Sequence, residues 1–490
     1  MSTRRLGRVA MLATCLALLA TGLTAVSASA DQHAAQTGDP FSSLDVFCTK
    51  STAPPGTRNS SSPGVTPNSV TISDNSLDTD ALRRIGNDQM NFHQALTAFV
   101  DQINDCGGVN GRKIVLKTAL YNVVAPDLTG HVQANCIKIT EDQKAFMTLG
   151  ITSITNARCV TVQHKTIMNA PAYQTVADFR DSQGRLVSIY PASDRLASAF
   201  IADGMAQQAF KGRKVTILGT NLPATRPADI VKEYEEPLKA KGIDVNTEIL
   251  PCTGAVCTGQ ASNAIRRMKA NGTNLVIVDH NFPGAGQIGT VIKEMQGQGL
   301  KAALTSVDTD SLFSDSQMTS IQRNAGTDGV AWLDKYGLYA VGMDPNLQRG
   351  GWRTGQVLES RFAKMCTATL AKALGQRRYN YDVTDIGNAR WQGTVNLCGQ
   401  VRQMARALYK LGNNVTTARM VESLRSLDGA SVARDNAPAG SDKWLFVWPN
   451  VSPTGASTNV FNYPCPLPTR QTTGCMLPQD KPIRTRKIKG

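Results

Sequence analysis

Between Gly86 and Gly150 the apolar positions alternate between a helical and a strand period. Met90, Leu96, Phe99, Val100 and Ile103 share one helical face, and Gly107 with Gly108 stops that helix. After the turn at Gly111 comes a strand, Lys113 to Ala119, then a second helix carrying Val132, Cys136, Ile137 and Ile139, then a strand at Ala145 to Leu149. Helix, strand, helix, strand implies a parallel sheet covered by helices. A strand at Val70 to Ser73 opens this unit, and a helix Arg158 to Met168 with a strand Ala170 to Tyr173 extends it to about Tyr190-Pro191.

The pattern then starts again. Asp194 to Phe210 reads as a helix, and Gly212-Arg213-Lys214-Val215-Thr216-Ile217-Leu218 echoes Gly111-Arg112-Lys113-Ile114-Val115-Leu116. Helices at 227–241, 259–270 and 285–297 alternate with strands at 243–249, 274–279 and 301–306. Two such sheets predict a two-lobed α/β protein with a cleft between the lobes, because ligand sites in open α/β sheets lie beyond the carboxyl ends of the strands.

The strand Val70 to Ser73, the long helix ending in Ile103-Asn104 and the run Gly107-Gly108-Val109-Asn110-Gly111-Arg112-Lys113-Ile114 carry a resemblance. They resemble the opening of type I periplasmic binding-protein domains, the extracellular solute-binding proteins of the branched-chain amino acid (Leu/Ile/Val-binding) group. The order of elements keeps to that resemblance to about residue 410. It implies an α/β fold of two Rossmann-like lobes with parallel sheets, joined by a three-crossover hinge. On this reading residues 66–193 are the first part of lobe one, 194–328 lobe two, 329–411 the return to lobe one, and 412–490 a C-terminal segment with a basic tail. Gly329-Val330-Ala331-Trp332-Leu333 is expected to cross back, with helices at 352–374 and 392–411 packing on lobe one. A helix near 415–427 and a strand Lys443 to Val447 are expected beyond.

The chain of 490 residues, 41% hydrophobic and 18% charged, is long enough for two or three domains and has the balance of a soluble globular protein. Arg4, Arg5 and Arg8, the apolar run Val9 to Val26 and Ala28-Ser29-Ala30 have the layout of a secretory signal peptide, residues 1–30, cleaved after Ala30. Thr3-Arg4-Arg5 lacks the large apolar residue that twin-arginine export expects, which favours general secretion. Cys15 sits too far inside the apolar run for a lipid anchor. No later stretch approaches the ~20 apolar residues of a membrane helix, so a soluble, secreted protein is expected. Residues 31–65, rich in Ser, Thr, Pro and Gly, read as a flexible leader.

Without Cys15, ten of the eleven cysteines remain, and an even number in an exported chain favours disulfides over metal or thiol chemistry. The pairings proposed are Cys252 with Cys257, Cys465 with Cys475, Cys366 with Cys398 and Cys136 with Cys159, leaving Cys48 and Cys106. The net charge of +14 includes the signal arginines and five cations after Leu477. With 6% aromatic residues and no recognisable module, nucleic acid is not an expected partner; solvated charge or an anionic envelope polymer is.

Candidate ligand groups come from strand-end loops. By the resemblance, Ser153 and Thr155 after the strand 145–149, and Gln174 with Thr175, carry hydroxyl and backbone contacts to an amino acid carboxylate; helix capping accounts for such residues equally well. In lobe two the candidates are Asn221, His280 and Asp308, the last being the closest match to the acidic residue that pairs with a ligand ammonium, while Asn75 lines the entrance. Tyr121-Asn122-Val123-Val124 and Pro223-Ala224-Thr225 depart from the family pattern, so the ligand need not be a branched-chain amino acid. The five histidines show no metal spacing, and no nucleophile, phosphate-loop or cofactor motif stands out, so an enzyme is not expected. The resemblance implies a monomeric solute-binding protein that hands a small polar solute to an ABC permease. Two alternatives keep the fold: a sensor that signals to a membrane receptor, and an envelope-polymer binder.

Overall fold

The computed structural model describes residues 57–59, 61–84, 90–150, 157–169, 174–188, 190–252, 257, 260–282, 285–307, 315–342, 361–377, 386–427, 446–452, 457–466 and 474–478. Two sheets organise them. In the first, β1 (Ser69–Asp74), β2 (Lys113–Thr118), β3 (Met147–Leu149), β4 (Ile167–Asn169) and β5 (Leu186–Ser188) run parallel in the order β5-β4-β3-β1-β2, and β11 (Phe446–Val447) adds antiparallel to β5. In the second, β6 (Lys214–Thr220), β7 (Asp244–Leu250), β8 (Leu275–Val278), β9 (Ala303–Ser306) and β10 (Leu338–Gly342) run parallel in the order β10-β9-β8-β6-β7. Two further strands, β12 (Ser457–Asn462) and β13 (Cys475–Pro478), extend it antiparallel beyond β10. The predicted pair of parallel α/β sheets is therefore present.

Each sheet is built on buried strands: β8 is apolar on both faces, whereas β1 and β3 carry their apolar residues on one. Ile72, Met147, Leu149 and Ile167 bury one face of sheet one against Leu96, Phe99 and Ile103 of the helix Phe92–Asp105 and against Val401, Met404 and Leu408 of the helix Ile386–Leu411. Asn91 caps the helix Phe92–Asp105 by accepting from the Gln94 N–H, and Gly108 ends it at φ +80, where a Cβ would lie 2.0 Å from the Arg112 carbonyl oxygen. Sheet two is covered in the same way by the helices Ala261–Ala270, Ala285–Gly297 and Asp315–Tyr336. Gly289 lets two of them touch: a Cβ there would stand 2.4 Å from the Ile321 carbonyl oxygen.

Three connections run between the sheets: Ser188 to Lys214, Gly342 to the helix Arg361–Ala373 that packs in the core of sheet one, and Val447 to Ser457. Arg112, from the run that carries the family resemblance, has a structural role. Its buried guanidinium donates to the carbonyls of Asn59, Thr66, Gly412 and Asn413, joining three chain segments at the amino end of the sheet. The last residues of the expected leader are therefore bound, with Asn59 also accepting from the Val415 N–H.

Four element expectations are corrected. The helix expected to run to Met168 ends by Gln163, Lys165 takes φ +56 and a strand stands at Ile167–Asn169, because the apolar spacing of Val160, Ile167 and Met168 mimics one helix; the strand expected at Ala170 to Tyr173 lies outside the described residues. A three-residue strand, β5, follows, too short to register as a pattern. Gly329 to Leu333, expected to cross back to lobe one, is part of the helix Asp315–Tyr336, with Trp332 donating to the Leu300 carbonyl and β10 then joining sheet two. The C-terminal segment also contributes strands to both sheets, through β11, β12 and β13.

The sulfurs of Cys136–Cys159, Cys252–Cys257, Cys366–Cys398 and Cys465–Cys475 are bonded, in agreement with the four pairings proposed. Cys106 is disulfide-bonded as well, and Cys48 lies outside the described residues. The Cys366–Cys398 bridge spans 32 residues and staples the helices Arg361–Ala373 and Ile386–Leu411 together inside the core. Replacing both cysteines by serine is expected to cost about 4 kcal/mol, from loop-closure entropy in the unfolded chain. Urea unfolding of the double variant checks it, and an unchanged midpoint would count against that account.

Candidate functional site

Strand order reverses once in each sheet: β1 lies between β2 and β3, and β6 between β7 and β8. At such a switch point the connections leave to opposite sides, and their carboxyl ends frame a crevice. The residues at these two places are polar although the strands that carry them are not.

In lobe one, β1 ends in Asp74, which is fully buried. One of its carboxylate oxygens accepts the Ser76 N–H at 2.8 Å, and the other lies 2.7 Å from Nδ1 of His93. Topology brings the pair together, because the chain leaving β1 returns as the helix Phe92–Asp105, whose amino end sits where the strand's carboxyl end is. The imidazole keeps 41% of its surface exposed. Its hydrogen bond to Asp74 raises its pKa above the ordinary histidine value, against the opposing effect of partial burial. Next to it, the Asn75 N–H donates to the Leu149 carbonyl at 2.7 Å and locks β1 to the end of β3. Gly150 follows at φ +144, and Gln400 grips it twice, accepting its N–H at 2.9 Å and donating to its carbonyl at 3.2 Å. Asn169, at the end of β4, donates to Gln403. Asn75 Oδ1, Ser76 Oγ, Ser73 Oγ and Thr148 Oγ1 are buried along the ends of β1 and β3 with no protein partner. Buried polar atoms are nearly always paired, so a concentration of exceptions at a strand-end rim marks a place built for something other than packing.

In lobe two the corresponding residues are tied up internally. Asn221, after β6, accepts the Cys252 N–H at 2.7 Å. Asp279, after β8, takes two hydrogen bonds from Arg226 at 2.8 and 2.6 Å; Arg226 also reaches Glu233 at 2.7 Å, and Glu233 accepts from Ser193 Oγ at 2.7 Å. The side chains of Asp279, Arg226, Glu233 and Ser193 are buried. Burial pushes the Asp279 carboxyl up, but the Arg226 charge and its hydrogen bonds outweigh that and hold it below the ordinary range. Glu233 shares the same guanidinium less closely, and burial leaves its pKa raised. His280 bonds Tyr234 at 2.9 Å through Nδ1, and burial lowers its pKa to about 3, so the ring is neutral. The two histidines beside strand-end aspartates are thus opposites: His280 is neutral and enclosed, whereas His93 is half exposed and inclined to carry charge.

Of the predicted ligand residues, Asn75 and His280 stand at the two switch points, and Asn221 lies beside the second. Thr175 caps the helix Val176–Asp181, with its hydroxyl and N–H both bonded to Asp178. The Gln174 backbone bonds Ser193 at the first connection between the lobes. Ser153, Thr155 and Asp308 lie outside the described residues. Nothing in its sequence neighbourhood sets His93 apart from the other histidines; only the β1-to-helix return reveals its partner. Cys136, Cys159 and His164 bring donor atoms within 4.8 Å, but the two sulfurs are bonded to each other, which removes them as metal ligands.

No family model matches the chain, and no curated protein matches it. Among solved structures, it is similar in fold to a fatty acid ABC transporter substrate-binding protein from Thermomonospora curvata (TM-score 0.57, 14% identity, 88% of this chain and 96% of that one). It is likewise similar to a branched-chain amino acid ABC transporter protein from Thermus thermophilus with bound valine (TM-score 0.55, 11% identity, 86% and 97%). A third is the leucine-, isoleucine-, valine-, threonine- and alanine-binding protein from Brucella ovis in its closed conformation (TM-score 0.52, 13% identity, 84% and 94%). The expected type I periplasmic binding-protein fold is thereby present over most of the chain.

Proposed function

We propose that this protein captures a small solute in the crevice between its two lobes and delivers it to an ABC-type importer. The observation that carries the reading is the pairing of two switch points, each lined with polar strand-end residues, on sheets joined by three connections. A solute touching both lobes makes its full set of contacts only in the closed form, and that differential affinity shifts the population toward closure. No bond need be made or broken. The polar groups are Asn75, Ser76 and His93 in lobe one, with Ser153, Thr155 and Asp308 proposed from sequence. No helix among the described residues is long and apolar enough to cross a membrane, in keeping with a carrier that meets its permease from outside.

The fold's occupants in solved structures include valine, and one such protein is a fatty acid carrier, so the solute panel should reach from amino acids to medium-chain acids. A thermal-shift screen of residues 31–490 against L-leucine, L-valine, L-glutamate, octanoate, spermidine, glucose and a tripeptide tests the reading. A ligand present at one hundred times its Kd stabilises the folded state by about 2.7 kcal/mol. At least one compound is expected to raise Tm; a folded protein with no response to any of them would shift the reading to the envelope-binding alternative.

A further inference from the structure

We propose that Cys136, Cys159 and His164 form a redox-gated zinc site in lobe one, closed while the two sulfurs are bonded to each other and opened when a dithiol reduces them. The site uses none of the crevice residues, so it stands whatever solute the crevice holds.

Three observations carry it. The first is the donor set: one ligand atom from each of the three side chains lies within 4.8 Å of the others. Zn–S bonds of about 2.3 Å and Zn–N bonds of about 2.0 Å at tetrahedral angles separate neighbouring donors by about 3.5–3.8 Å, so these atoms are within about 1 Å of a coordinating arrangement. Two thiolates and an imidazole are ligands that zinc prefers. The cysteine Cα atoms stand 6.2 Å apart, and side-chain rotation alone lets freed sulfurs separate around a metal.

The second is how the backbone presents them. The helix Leu128–Ile137, which carries Cys136, widens at its end into the π-type turn Lys138–Asp142, and the connection after β3 has the same kind of turn at Cys159–Gln163. In such a turn an N–H bonds the carbonyl five residues back, and the His164 N–H donates to the Cys159 carbonyl at 3.0 Å. The spacing occurs twice, Cys136 to Glu141 and Cys159 to His164, and the two segments meet: a Glu141 carboxylate oxygen lies 3.7 Å from Nε2 of His164. A disulfide needs only its two cysteines. It has no use for an imidazole beside it or a carboxylate behind the imidazole, whereas a ligating histidine is oriented and made more basic by that carboxylate.

The third is access. Both cysteines are buried, but the exposed Gln133 places its side-chain nitrogen 3.7 Å from Cys159 Sγ, so the bridge sits directly beneath the surface. His164 keeps 27% of its side chain exposed and Glu141 56%, which opens the same side to a reductant and a metal, and leaves the fourth zinc position to water. The step balances through the dithiol. Its two thiols give two electrons and two protons to the Cys136–Cys159 bond and become a disulfide; zinc then takes both thiolates, and the two protons pass to solvent. Bridge and metal thus hold the same two connections in turn, and lobe one keeps this cross-link in either redox state.

The test titrates zinc into residues 31–490, oxidised, and again after reduction with dithiothreitol and its removal under nitrogen. The oxidised protein is expected to bind no zinc at this site, and the reduced protein to gain a site that Cys136→Ser/Cys159→Ser loses and Cys252→Ser/Cys257→Ser keeps. His164→Ala is expected to weaken zinc about a hundredfold or more, and Glu141→Gln about tenfold. Cobalt(II) supplies a spectroscopic readout: the reduced protein should show the visible bands of a tetrahedral ion with thiolate charge transfer, and Glu141→Gln should shift the visible bands without removing the charge transfer. Because reduction also opens the other disulfides and could unfold the chain, Cys136→His in the oxidised protein gives a second reading, since it sets an imidazole beside a free Cys159 thiol and His164 with the other bridges intact. It is expected to bind zinc, and adding His164→Ala is expected to abolish that binding. Zinc bound equally by the oxidised wild type, a site retained by Cys136→Ser/Cys159→Ser, or affinity unmoved by His164→Ala would each overturn the proposal, as would the absence of zinc from both the reduced protein and the Cys136→His variant.

Discussion

Arg226→Met is expected to destabilise the protein by about 3–5 kcal/mol at neutral pH, because it strands buried carboxylates that lose the cation they share. Asp279 is fully buried and takes both of its strongest hydrogen bonds from Arg226, while Glu233 takes one. Methionine preserves apolar bulk, so the cost reflects charge more than a cavity. The pH dependence separates the two causes. In the wild type the Asp279 pKa lies below its unfolded value, so its contribution is present above the ordinary aspartate range and is lost as pH falls through the folded value. In the variant, burial without the arginine raises that pKa above the unfolded value, and folding then binds a proton. The stability of the variant therefore declines as pH rises through the carboxylate range, and the gap to the wild type is widest at neutral pH. Urea unfolding at pH 7.5 and pH 4.5 measures this; a gap that is the same at both would assign the loss to packing.

The network also lies at a mechanically relevant place. Ser193 begins the helix Ser193–Ala206, which follows the first connection from sheet one, and its hydroxyl bonds Glu233 inside lobe two. Arg226 thus ties the incoming chain to the carboxyl end of β8 through Glu233 and Asp279, and the rigidity of lobe two at its switch point depends on it.

Arg226 shows where sequence reading stops. It sits in the run Thr225-Arg226-Pro227, where nothing local distinguishes a buried arginine from a surface one; its partners are 7 and 53 residues away and meet it only after β6 and β8 align in register. The same holds for His93 and Asp74, 19 residues apart and joined by a β-to-helix return. What was legible was periodic. Ile72, Phe99 and Ile103 announced the first lobe by spacing, Leu275 to Val278 a buried strand by its unbroken apolar run, and the cysteine pairs could be proposed from the elements that carry them. What was not legible was short or distant. β5 has three residues, Val330 and Leu333 have helical spacing that the expectation of a crossing back to lobe one obscured, and β12 finds its partner β10 more than a hundred residues upstream. Local pattern specifies elements, whereas pairing across such distances is decided by which edge of a sheet remains open.

Gly150→Ala is expected to cost both stability and ligand binding. The residue lies at φ +144, which side-chain-bearing residues rarely adopt, and an added Cβ would stand 2.5 Å from the Ser76 nitrogen and 2.6 Å from the Asn75 carbonyl carbon. Both obstacles are backbone, so no rotamer change relieves them. Either Gly150 leaves its conformation, which breaks the paired hydrogen bonds to Gln400, or the segment Asn75-Ser76 moves away from β3 and strains the Asn75 N–H to Leu149 bond. Overpacking and backbone strain together predict a loss of about 2–5 kcal/mol. The functional consequence follows from position, because both escapes displace the rim in which Asn75, Ser76 and His93 are gathered. Gln400→Leu offers a milder comparison: it removes the grip on Gly150 without a backbone clash, and leaves the Gly150 N–H and carbonyl unpaired at a cost of about 1–3 kcal/mol each. Thermal melts rank the two variants, with Gly150→Ala expected to be impaired in binding even at temperatures where it is folded. A folded Gly150→Ala protein with wild-type Tm and unchanged affinity for the solute identified by the thermal-shift screen would show that the β1–β3 switch point is not where ligand binds.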